Sequence, residues 1–228
     1  MNIEAALNFN DIPEKSKAHL TRVYSLLSAM ILAAVVGKVV IPAALVASLW
    51  WVFLIVNIGC VFYLISNRGN DKQTEKGAAA LSIAFLDGAF IGPLVDHYAE
   101  INPAIVVNAL VYTMAIFVSF SLFSLMTKRR SMLFLGGFIS SALSMMFFAQ
   151  LFSWMFGLGL AFSIWYNIIG VWVFALYVIF DTQMIIEKSD RGDMDVAGHA
   201  LELFIDLVQI FVKILKILGE SEKKKSKD

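Results

Sequence analysis

Charge is scarce in this chain and leans to neither sign. Only 16% of its 228 residues are charged, with 18 basic against 18 acidic, so no net field draws it toward nucleic acid. A single cysteine, Cys60, excludes an internal disulfide and a cysteine-built zinc site. The sequence has no phosphate-binding glycine loop, no His-Glu-x-x-His and no serine elbow. No cofactor, resident metal or enzymatic activity is therefore expected. The first residues mix Glu4, Asp11, Pro13 and Glu14 with two lysines, and they do not read as a cleaved signal.

What is abundant is apolar. Hydrophobic residues make up 59% of the chain and mean hydropathy is +0.77, where soluble domains run at about half apolar and a quarter charged. Spans of roughly 20 residues would use nearly all of these residues in about six or seven helices. Both a water-soluble and a disordered chain are excluded. The expected fold is an all-α polytopic membrane protein, with a cytosolic segment over 1–22, a membrane bundle over 23–219 and a Lys-rich tail over 220–228.

Charge-poor runs locate the spans at 23–41 with Lys38 near its end, Ala43–Ile65, Gly77–Val95 interrupted by Asp87, Ala104–Met126, Met132–Met155 and Phe162–Ile186. The turn signal Asn102-Pro103 opens the fourth, and Gly157 and Gly159 hinge the last two. Gly198–Leu218 is apolar in outline but carries Glu202, Asp206, Gln209, Lys213 and Lys216. These recur every three or four residues, which gathers them on one stripe of a helix.

Eleven basic residues flank one side of the six spans: Lys15, Lys17, Arg22, Arg68, Lys72, Lys76, Lys128, Arg129, Arg130, Lys188 and Arg191. The other side has Lys38 alone. That asymmetry puts the N-terminus in the cytosol. The tail lysines 223, 224, 225 and 227 would then be misplaced if Gly198–Leu218 crossed fully. The expectation is a segment that enters the interior and returns, with a solvated tail. Asp96, His97 and Glu100 are expected in a solvated loop on the opposite side.

Carboxylates inside spans cost about 3 kcal/mol or more unless they face a cavity or partner. Asp181 follows the apolar run Val171–Phe180, and Asp206 sits on the polar stripe. Brought together, the two acids need only one proton between them, and when ionised they attract a hard cation such as Ca²⁺. Asp181 and Asp206 are the candidate proton-sensing and ion-pathway residues, with Glu202 and Asp87 as auxiliary candidates and Ca²⁺ held only in transit. Asn57 reads as an interhelical hydrogen-bonding group.

At these residues the chain resembles a known family. Ile179-Phe180-Asp181-Thr182-Gln183 followed by Ile185-Ile186-Glu187-Lys188 is similar to the signature of the Bax inhibitor-1 family. Further matches run in order: His19-Leu20 with Val23-Tyr24, Gly92-Pro93, Asn102-Pro103, Arg129-Arg130-Ser131 with Leu133–Gly137, and Leu203-Phe204 with Asp206. The resemblance covers about 19–225. It implies six helices packed around a central seventh, and a multi-pass protein of the endoplasmic reticulum membrane. It also implies a pH-dependent Ca²⁺ leak that suppresses stress-induced cell death, with the family's paired aspartates falling on Asp181 and Asp206. The implied partners are the lipid bilayer, Ca²⁺, and Bcl-2-family or stress-related membrane proteins. One departure is that Ala43–Ile65 lacks the arginine that some bacterial relatives place near the pair.

Two other functions compete. One is a membrane adaptor that regulates cell-death partners without transport. The other is an intramembrane aspartyl protease, which would resemble Tyr-Asp on one helix and Gly-x-Gly-Asp on another. Here the acid follows Phe180, and Gly157-Leu158-Gly159 precedes Leu160.

Overall fold

The computed structural model describes residues 12–67, 69–127, 133–159 and 163–225. Arg68, Lys128, Arg129, Arg130, Ser131 and Lys227, all used in the charge or motif reading, lie outside these residues. Among the described residues there are seven helices and no strand. They are α1 (Glu14–Val40), α2 (Ala43–Ser66), α3 (Gln73–Ile101), α4 (Pro103–Met126), α5 (Leu135–Phe156), α6 (Ile164–Asp190) and α7 (Val196–Lys225). The first six are long and apolar enough to cross a membrane.

Local chemistry explains the boundaries. Pro13 and Pro42 precede α1 and α2, where a missing N–H costs nothing. The Asn102 side chain accepts a hydrogen bond from the Ala104 amide at 3.0 Å, with Pro103 preset for the first turn of α4. Gly157 ends α5 at φ 65°, a left-handed conformation that glycine adopts without penalty. Asp195 caps α7 by accepting from the Gly198 amide at 3.1 Å.

The chain divides into two compact units, one of Ile12–Asp96 with Ile185–Ile205 and the other of His97–Met184 with Asp206 onward. In the first, α1 and α3 cross backbone to backbone. A Cβ added at Gly37 would lie 1.9 Å from the Phe85 carbonyl oxygen, and one at Gly88 1.9 Å from that of Ala34. Only glycine permits this approach. Lys38 pairs with Asp96 at 2.7 Å near the ends of the same two helices. By contrast α2 buries only Val46 and Leu64, as suits a helix whose outer face meets lipid.

Two expectations are corrected. Gly198–Leu218 does not enter and return: it lies within one unbroken helix of 30 residues, about 45 Å long. In the first unit α7 starts beside the start of α3, where Lys76 meets Asp195. In the second it ends beside the end of α3, where the Tyr98 hydroxyl donates to Glu220 at 3.2 Å. Asp96, His97 and Glu100 form no loop, since α3 runs through them to Ile101. Helix α7 continues into the first residues of the tail. Asn102 donates to Glu222 at 3.2 Å, and Lys223 lies 3.2 Å from His97 Nε2.

Candidate functional site

Each candidate acid has a distinct setting. Asp87 on α3 accepts from Asn57 Nδ2 on α2 at 2.8 Å, so Asn57 is the interhelical donor its position suggests. This contact gives Asp87 a bracing role between two helices. Glu202 holds the Lys188 ammonium at 3.0 and 3.2 Å through its two oxygens. That ion pair ties the end of α6 to the first turns of α7.

Asp181 and Asp206 belong to the same compact unit. Asp181 is half-buried on α6, and Asp206, on α7, is only 3% exposed. Around Asp181 the helix is clamped to α4: the Ser124 hydroxyl donates to the Ile179 carbonyl at 2.8 Å, and Gln183 Nε2 donates to the Ser124 carbonyl at 3.5 Å. Thr182 beside it is fully buried. The polar residues Thr182 and Gln183 therefore face protein, which explains how α6 tolerates them within an apolar span.

Helices α6 and α7 touch within each compact unit. Toward the end of α6, Lys188 meets Glu202. Nearer its start, Gly170 lies against Lys213: a Cβ there would come within 2.3 Å of Lys213 Cδ. Within the second unit, Asp181 follows Gly170 by about three turns on α6, and Asp206 precedes Lys213 by about two turns on α7. Lys213 is buried, with its ammonium 5.1 Å from the Tyr166 ring centre and 5.5 Å from that of Phe174.

The first unit holds a polar cluster that reading the sequence did not assemble. His19 Nε2 and His199 Nδ1 are 2.9 Å apart, and both rings are buried. The Ser189 hydroxyl bonds that of Ser16 at 2.8 Å. Lys76 and Asp195 form a buried ion pair at 2.5 Å, with the Lys76 ammonium also donating to the Gly69 carbonyl at 2.7 Å. His19 stood within a family-like motif, but nothing local to it indicates a partner 180 residues away.

Six apolar helices and a seventh that carries buried acid and base define a polytopic helical membrane protein. A family model described as "Inhibitor of apoptosis-promoting Bax1" matches residues 16–223. The chain is 33% identical to Bax inhibitor 1 of Homo sapiens and 34% identical to Probable Bax inhibitor 1 of Paralichthys olivaceus. Both alignments span 100% of this chain and 96% of the relative. It is 36% identical to Bax inhibitor 1 of Arabidopsis thaliana over 92% of this chain and 84% of that protein. The chain belongs to the Bax inhibitor 1 family.

Proposed function

We propose that this chain is a pH-sensitive Ca²⁺ leak of the endoplasmic reticulum membrane, that it lowers stored Ca²⁺, and that it suppresses stress-induced cell death. Asp181 and Asp206 act as the proton-sensing element and as the oxygen ligands a cation meets in transit. The observation that carries this reading is that both acids sit on α6 and α7 within one compact unit, Asp206 only 3% exposed. Two carboxylates brought together compete for a proton, and their combined charge, and so their attraction for a hard divalent ion, changes with pH. The names of the relatives, Bax inhibitor 1, support the cell-death role.

The test is Ca²⁺ flux through the purified full chain in proteoliposomes, titrated with pH. Asp181→Asn and Asp206→Asn should each alter the flux and flatten its pH dependence. Unchanged flux and an unchanged profile in both variants would remove the pair from the pathway. A wild type silent in liposomes that still protects cells would favour an adaptor.

A further inference from the structure

We propose that Lys213 is a tethered cation in the α6–α7 seam that restrains divalent ions from reaching the acids, which makes it a specificity-determining residue. This inference rests on the leak reading above. Its basis is a socket on α6. Tyr166, Gly170 and Phe174 recur every four residues and so share one helix face. Gly170 leaves the space that the Lys213 stem fills, since a Cβ there would lie 2.3 Å from Cδ and 2.4 Å from Cε. The two aromatic rings receive the ammonium, and their negative faces favour a positive charge there. The Tyr166 hydroxyl donates to the Met146 carbonyl on α5 at 3.1 Å, which holds that ring in place.

The socket and the acids lie along one seam. Asp206 precedes Lys213 by two turns on the same stripe of α7, and Asp181 follows Phe174 by two turns on α6, a spacing of about 10 Å along each axis. The ammonium acts on a passing ion through its field. At about 10 Å and an effective permittivity of about 20, one fixed positive charge lowers monovalent occupancy roughly tenfold and divalent occupancy by roughly the square of that. A charge so placed suits a leak that must stay slow.

The experiment compares Ca²⁺ and K⁺ flux of the full chain in proteoliposomes for wild type, Lys213→Met, Lys213→Arg and Gly170→Ala. Methionine keeps the apolar stem without the charge. The atoms nearest a Gly170→Ala methyl are those of the flexible lysine stem, which it displaces, so this variant carries the test if Lys213→Met does not fold. Lys213→Met is expected to raise Ca²⁺ flux by up to about a hundredfold and K⁺ flux by up to about tenfold. Gly170→Ala should move the Ca²⁺/K⁺ ratio the same way, and Lys213→Arg should stay near wild type. A wild type that leaks, with the ratio unchanged or lowered in Lys213→Met and Gly170→Ala, overturns the assignment alone. A wild type silent to both ions overturns the leak reading and this assignment with it.

Discussion

His19 on α1 and His199 on α7 face each other through ring nitrogens 2.9 Å apart, at right angles and out of solvent. One ring must donate and the other accept. Truncating either leaves a buried nitrogen without its partner, at a cost of about 1–3 kcal/mol. His19→Ala and His199→Ala should each lower the thermal unfolding midpoint of the detergent-solubilised protein. The double variant should cost less than the sum, because the second truncation removes a group already orphaned. Strict additivity would show that the contact carries no coupling energy.

Lys76 and Asp195 pose a sharper case, because both partners are charged and buried. Removing one charge strands the other, at about 3–5 kcal/mol. Lys76→Met and Asp195→Ala should therefore reduce the yield of folded protein strongly. Lys76→Met combined with Asp195→Asn should recover most of it, since asparagine can still cap α7 at the Gly198 amide. Thermal midpoints of the three variants check this, and a double variant no better than the singles would refute it.

The crossing of α1 and α3 predicts a contrast between glycines. Alanine at Gly88 places a methyl against the Ala34 backbone, which cannot move aside as a side chain could. Overpacking of this kind costs about 1–3 kcal/mol. Gly59 on α2 has open space around it, and alanine there should be neutral or stabilising by up to about 1 kcal/mol. Unfolding midpoints of Gly88→Ala and Gly59→Ala should shift in opposite directions or by clearly unequal amounts.

The apolar spans were legible because a run without charge is a one-dimensional signal. The Ala43–Ile65 reading lies within one residue of α2, and Ala104–Met126 within one of α4. The ends were harder where a helix continues past the apolar stretch. Helix α1 begins at Glu14, well before the run starting at Val23, and α3 runs through Asp96 to Ile101. Hydropathy marks lipid contact, while the backbone ladder goes on wherever no residue interrupts it. Asp181 and Asp206 stood out as acids among apolar neighbours, yet their setting depends on how α6 and α7 pair. The Lys213 socket and the His19–His199 contact are properties of two surfaces meeting, and no local pattern announces them.

The last helix provides the most discriminating topological test. Counting lysines favours a tail on the same side as the N-terminus, since positive charge is retained on the cytosolic face. Four contacts argue otherwise. The start of α1 meets the end of α6 through Ser16 and Ser189, and His19 meets the first turns of α7. The last turns of α7 meet the far end of α3 through Tyr98 and Asn102. No glycine or proline lies between His199 and Leu218 to turn the chain back. Glu220 and Glu222 are engaged at that far end, and the Lys223 ammonium is held 3.0 Å from Glu220, which offsets part of the charge that the counting rule weighs. Tags placed before Ile12 and after Lys225 should therefore lie on opposite sides of the membrane. In sealed vesicles, protease should remove one and spare the other until detergent is added; simultaneous removal of both would restore the returning segment.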